Sequence, residues 1–405
     1  MTTLVLSNGR VIDPLTHLDT VSDVVVRDGK IAAVGPAAGD QYPEADVVDC
    51  SGLVITPGLI DLHVHVMKGL GDFCVEADEV GVDMGVPVVV DGGTSGVATF
   101  DISRRAVIDH PDTKTKVLAF IDPNQLYLAT KDFICHKLTI ANDLKNLDVQ
   151  SLLESLERNK DVIVGLKVRA CHVGDPEHSP FLEQAQMASG GKPIMVHLGR
   201  FPHTPVIPTP TLLKQLRSGD IITHAFRGGG GMLDSTGKAI PEFRDAVDRG
   251  VVLDVGHSGT DFRFREARRL IEQGYVPDTV STDLNVFNIG GPVFSMLENM
   301  TKMFALGFDV GDVVAMATSN VARAIGKLDE LGSLELGRAA EISVVRLRTD
   351  GPFPVSDGHE TMESPIAVEP VGCVRGGTWY AAKELPTFAK VGKTWGPSVD
   401  DSEWP

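Results

Sequence analysis

Two histidines stand two residues apart in IDLHVH, His63 and His65. On an extended strand such positions point to one face, so two imidazoles can reach one metal ion from a single strand. A second oddity is VIVGLKVRA, residues 162–170. It has the β-branched composition of a buried strand, yet it carries Lys167 in its middle and Arg169 two places on. A lysine in an apolar strand is costly unless paired, and burial beside cations favours its free amine over the ammonium form. The plainer alternative is a buried stem whose head pairs with an acid. Arg169 points the same way as Lys167. It has two readings: a fork for an oxyanion or a substrate carboxylate, or half of a buried ion pair. His197 in MVHLG, His224 in IITHAF, His257 in LDVGH and Asp283 in VSTDLN extend the set, with Arg227 just past His224. For His257 a substrate contact and a structural hydrogen bond both remain open. Arg227 either reaches the substrate or faces water. Imidazole and carboxylate donors suit zinc, with manganese, cobalt or iron as alternatives.

Strands must position these side chains. Eight short apolar runs recur between stretches of helical composition: VITPGLIDLHVH, VPVVVDGGT, KVLAFID, DVIVGLKVRA, KPIMVHLG, DIITHAF, VVLDVGH and DTVSTDLN. Eight β-then-α units imply a (β/α)8 TIM barrel over residues 56–327, with a doubly wound open sheet as the alternative. The candidate residues close these runs, at the rim where a TIM barrel builds its active site, and Thr94 closes the second. Residues 1–55 and 328–384 read instead as short strands and turns, with SNG and RDGK as hairpin turns. They are expected to form one small β-sandwich domain built from both chain ends. Residues 385–405, rich in Pro, Gly, Ser and Asp, are expected to be an extended tail.

The stretch ITPGLIDLHVH, with GRVIDP, DGKIAAVG, LGSLELGRAAEISVV and the strand-end His197, His224 and Asp283, resembles the amidohydrolase superfamily over nearly the whole chain. Within it the chain looks most like the dihydroorotase-like branch, and specifically a group often labelled dihydroorotase but associated with deacetylation. The resemblance implies two divalent metal ions. His63, His65 and Asp283 would hold the first, and His197 and His224 the second. Lys167, carboxylated by carbon dioxide, would bridge both together with a water or hydroxide. Asp283 would also shuttle the proton. The implied reaction is removal of an acetyl group from an acylated 2-hydroxy acid, such as an acetylated mandelate. A cyclic amide hydrolase of dihydroorotase or hydantoinase type and an N-acyl-amino-acid deacylase are the alternatives. A non-catalytic scaffold on the same fold would be expected to lack ligands, whereas all six positions are filled. Dihydroorotases usually carry an arginine two residues after the second histidine, and here that position is Met67. Glu341 stands where aspartate is more usual, away from the site.

Bulk composition narrows the partners. The 405 residues are 42% hydrophobic and 23% charged, enough for a large core, and the net charge is −18. Nucleic acids and anionic membranes call for basic patches, so a small-molecule substrate is expected, with neither nucleic acid nor membrane as partner. The HxE…PCxxC pattern of nucleic-acid deaminases is absent. MTTLVLSNGRVIDP has no basic and apolar leader pattern, and no run of 18 apolar residues occurs. Five cysteines are scattered singly, which fits reduced thiols and a cytoplasmic protein. Barrels of this family often assemble into dimers or larger oligomers, so a homo-oligomer is an open expectation.

Overall fold

The computed structural model describes residues 3–199 and 203–392. Seven strands form one parallel sheet whose neighbours follow chain order: Ile60–Val64, Val88–Gly96, Lys116–Asp122, Ile163–Val168, Ile194–His197, Ile221–Thr223 and Val252–Leu253. The eighth run closes the sheet through single parallel bridges, Thr279 beside Asp254 and Leu284 beside Val64. Each of the eight apolar runs thus contributes to one barrel. Helices cover the outside, so the strands are buried on both faces and read as unbroken apolar runs.

Leu62, Val90, Phe120, Val164, Met195 and Ile221 come from six different strands and form one cluster inside the barrel. Val64 and Val66 belong instead to the outer core that packs on the helices. Strict alternation from Leu62 would instead send Val64 and Val66 inward and His63 and His65 outward. The first strand prevents this with a register shift between Asp61 and Val64, which turns both histidines toward the barrel axis above Leu62.

Both chain ends build a second, mixed sheet. In spatial order it runs Thr378–Ala381, Ala367–Arg375, Ile342–Arg348, Val54–Pro57, Thr3–Asp13, Leu18–Arg27, Lys30–Gly35, with Asp46–Asp49 pairing off Thr3–Asp13. Val54–Pro57 joins the two ends, parallel to Thr3–Asp13 and antiparallel to Ile342–Arg348. The run VITPGLIDLHVH is therefore split between two sheets. Gly58 makes the step: a Cβ there would lie 2.7 Å from Pro87 and 2.9 Å from the Glu341 backbone.

RDGK is a hairpin turn, with Asp28 at φ 49° and Gly29 at φ 76° between paired Arg27 and Lys30. SNG is not. It is a bulge inside Thr3–Asp13, between Leu6 and Gly9, where Asn8 takes φ 61° and its N–H donates to Asp23 at 2.9 Å. The hairpin that follows turns at residues 14–17. In the stretch expected to be extended from residue 385, Leu385 is buried and Phe388–Val391 forms a helical turn. The rest of that stretch, 393–405, lies outside the described residues. No helix among the described residues is long and apolar enough to cross a membrane.

Candidate metal centre

Six side chains from five strand ends converge. Lys167 Nζ donates to His63 Nε2 at 3.0 Å and rests on Met195 Sδ, the top of the interior cluster. Asp283 Oδ1 lies 3.1 Å from His65 Nε2 and 3.4 Å from His63 Nε2. The His224 ring sits 5.4 Å from that of His63, and the His197 ring meets His224 edge-on at 4.5 Å. His63, His224 and Asp283 each offer a ligand atom within 4.8 Å of the others. All six are near-fully buried or half-buried.

The backbone is bent to achieve this. His224 and Asp283 adopt φ 63° and 54°, in the left-handed region that side chains avoid. Asp283 is held there by its N–H on His63 O and by the amides of Asn285 and Asn288, each donating to Asp283 O at 2.8 Å. The second strand makes room by having glycine at positions 92 and 93. A Cβ on Gly92 would lie 2.1 Å from the His63 ring, and one on Gly93 would lie 2.3 Å from Lys167 Cβ.

A lower layer of hydroxyls and carboxylates fixes each ring. His63 Nδ1 lies 3.0 Å from Thr223 Oγ1, whose own proton goes to Asp254 at 2.8 Å. His65 Nδ1 lies 2.8 Å from Thr94 Oγ1, which donates to Asp91 at 2.8 Å. Because each threonine spends its proton on a carboxylate, it must accept from Nδ1–H. Both Nε2 atoms therefore present lone pairs. His224 Nδ1–H donates to Gly256 O at 2.6 Å, which leaves its Nε2 in the same state. Burial drives His63 and His197 well below the ordinary imidazole range, aided by Lys167 and by His224 respectively. His224 is also lowered by burial, against the pull of Asp261. All three are neutral, the form that ligates metals. Lys167 is brought down to about 7, by burial first and then by Arg169, so a free amine is accessible near neutral pH.

This arrangement has a mismatch that a cation resolves. Asp283 Oδ1 and His224 Nε2 are buried without a hydrogen-bond partner. The lone pairs of two imidazoles face a carboxylate oxygen at 3.1–3.4 Å with no proton between them. Divalent ions fit these N and O donors.

The three remaining sequence-derived residues stand around this centre. Arg169 donates to Asp122 at 2.9 Å and lies over the Tyr127 ring at 4.2 Å, at the mouth between the third and fourth strands. Arg227 donates to Leu198 O and pairs with Asp261 at 3.1 Å, and Asp261 lies 3.9 Å from His224 Nδ1. His257 is fully buried and both of its nitrogens are engaged, Nε2 with Lys302 at 2.9 Å and Nδ1 with Gly259 N–H at 3.1 Å. Of its two readings, this geometry favours the structural one.

Sequence reading did not single out Asp61, Asp91 and Asp254, though a signal was present. Each is an acid inside an apolar run, in LIDLH, VVVDGG and VVLDV, the same anomaly that marked Lys167. Asp61 accepts Thr282 Oγ1 at 2.6 Å and so tethers the closing strand to the first. Burial pushes its carboxyl up to about 7.

Comparison with known proteins points to one family. Residues 263–378 match the Amidohydrolase family. A deacetylase of Brucella anthropi is 32% identical over 354 residues, covering 85% of this chain and 83% of that protein. A deacetylase of Agrobacterium fabrum is 33% identical over 343 residues, covering 82% and 79%. The crystal structure of a dihydroorotase superposes with a TM-score of 0.82 at 28% identity, covering 95% of this chain and all of the other.

Proposed function

This chain belongs to the amidohydrolase family of metal-dependent hydrolases, and we propose that it is a deacetylase working at a binuclear centre. In this reading His63, His65 and Asp283 would hold one ion and His197 and His224 a second, carboxylated Lys167 would supply an anionic ligand to both, and zinc would best match the donors. The observation that carries the reading is the set of Nε2 lone pairs facing Asp283 Oδ1 beside a buried lysine. When bound, two such ions lower the pKa of a shared water and polarise a substrate carbonyl.

The chain's own groups do the rest. The Lys167 Nζ lone pair bonds to the carbon of carbon dioxide and one N–H proton passes to solvent water, giving an anionic carbamate with two ligand oxygens. Asp283 takes the proton of the attacking water and delivers it to the leaving oxygen. Its strained backbone, pinned by Asn285 and Asn288, keeps Oδ1 aimed between the two histidines. Arg169, held by Asp122 and Tyr127, takes the substrate carboxylate or the developing oxyanion. Arg227 is a second substrate contact beside His224. The substrate in this reading is an acetylated 2-hydroxy acid of the acetyl-mandelate kind. Five free, buried cysteines suit a cytoplasmic enzyme, and homo-oligomeric assembly is part of the same expectation.

The likeness to a dihydroorotase structure favours a second reading, hydrolysis of a cyclic amide. Met67 argues against it, because a fully buried thioether stands where the arginine of dihydroorotases is expected. One panel decides between them: zinc-reconstituted protein with bicarbonate, tested on acetylated 2-hydroxy acids of both hands, N-acyl-amino acids, dihydroorotate and related cyclic amides. Turnover confined to acetyl esters, and abolished in Lys167→Ala, supports deacetylation at a carbamate-bridged centre. Turnover of the cyclic amides instead overturns it.

A further inference from the structure

Three phenylalanines from three separate loops meet beside His65. Phe73 follows the first barrel strand, Phe133 the third and Phe287 the eighth. The Phe73 ring stands edge-on to the His65 imidazole, with centroids 4.9 Å apart at 71°. Phe287 lies 5.8 Å from Phe73 at 64°, and Phe133 lies 6.2 Å from Phe73 at 57°. The two edge-on pairs fix Phe73 against His65 and against Phe287.

The loops that carry them are tied together. Phe73 O accepts Val286 N–H at 3.1 Å, and Asp72 accepts Lys131 N–H at 2.9 Å. Phe133 adopts φ 54°, a strained conformation for a bulky side chain. Rings that merely capped the core would be covered. Instead Phe287 is 40% exposed, and Phe73 and Phe133 are half-buried. The cluster lies one ring away from the atoms at Asp283, and none of the chemistry above uses it.

We propose that Phe73, Phe133 and Phe287 form the wall that receives a flat apolar group flanking the scissile bond, which makes an aryl-bearing ester the preferred substrate. The proposal rests on the deacetylase reading for its orientation: the acyl part is only acetyl, so the flat group belongs to the leaving 2-hydroxy acid. Binding sites of this kind pair an aromatic wall with a few polar anchors, and Arg169 supplies the anchor here.

O-acetyl-mandelate and O-acetyl-lactate differ only by phenyl in place of methyl, so the pair reads the wall. The metal-loaded wild type is expected to favour the phenyl ester by about tenfold in kcat/KM. Phe287→Ala is expected to erase most of that ratio and Phe287→Tyr to retain it. A wild type without the preference, a ratio unchanged in Phe287→Ala, or an equal loss on both esters overturns the wall. If the wild type hydrolyses neither ester, the deacetylase reading fails, and calorimetric binding of mandelate and lactate then judges the wall alone. Tighter binding of mandelate, lost in Phe287→Ala, upholds it. Mandelate bound no more tightly than lactate, or not at all, overturns it.

Discussion

The Thr223 hydroxyl donates to Asp254 at 2.8 Å and accepts the Nδ1 proton of His63 at 3.0 Å. Asp254 collects two more hydroxyls, those of Thr279 and Ser281, at 2.8 and 2.7 Å. One carboxylate thus ties the sixth, seventh and eighth strands to a ligand on the first. Thr223→Val keeps the shape and removes the relay, so His63 loses the partner that fixes its tautomer. Metal affinity should fall by about 10–100-fold. Competition against a chelator checks this, with circular dichroism confirming an intact fold. Unchanged affinity would mean that the tautomer is set by other contacts.

Gly92 and Gly93 are placed by what they leave empty. A methyl at Gly92 would overlap the His63 ring at 2.1 Å, and that ring cannot retreat from Thr223 without losing its hydrogen bond. Gly92→Ala should therefore displace His63 and lower kcat by about 100-fold or more, since displacements near 1 Å have that effect at reacting centres. Steady-state kinetics and metal content, measured on the same preparation, would check it. A variant with full metal content and wild-type kcat would contradict the placement of His63.

These two positions illustrate what the chain discloses before it folds. The barrel was legible because strands buried on both faces must be apolar along their length, so eight runs stood out and the chemistry collected at their ends. Lys167 was legible for the converse reason, a charge-bearing group where none belongs. The turn of His63 and His65 toward the axis was not, because it depends on a register shift at Asp61–Val64 that leaves no mark on composition. SNG has the composition of a hairpin turn yet forms a bulge, because Asn8 takes the same left-handed conformation in either setting. Phe73, Phe133 and Phe287 are 60 and 154 residues apart along the chain, so only closure of the barrel brings their loops together.

Asp283 has two duties in the proposed mechanism, ligand and proton carrier. Asp283→Asn keeps a neutral oxygen near His63 and His65 but cannot take a proton. Loss of general acid–base action alone should lower kcat by about 100- to 10,000-fold. Because the ligand charge also falls, metal affinity should weaken in parallel. Kinetics at saturating metal separates the two effects. A kcat within about tenfold of wild type under those conditions would assign the proton to another group.

Lys302 is fully buried on the helix Met296–Ala305, and its amine contacts Pro292 O at 2.7 Å, Asn299 Oδ1 at 3.0 Å and His257 Nε2 at 2.9 Å. His257 Nδ1 accepts from Gly259 N–H, so a neutral His257 ring carries its proton on Nε2, pointed at Nζ. That hydrogen bond requires a lone pair on Nζ, hence a neutral amine. Burial brings Lys302 from 10.5 down to about 7, against the opposing charges of Glu298 and Asp357. In the unfolded chain the same lysine holds its proton up to about pH 10.4. Between about pH 7 and that value the unfolded state binds the extra proton, so this group's contribution makes the native state more stable as pH rises. Below about pH 7 both states are protonated, and the penalty for a buried ammonium is present in full. Lys302→Met removes the titration while keeping most of the volume. The stability of wild type minus that of Lys302→Met should therefore climb from about pH 7 toward pH 10, by at most about 1.4 kcal/mol per pH unit. Urea unfolding of both proteins across that range measures it. A difference that stays flat with pH would mean that Lys302 keeps its charge in the folded protein.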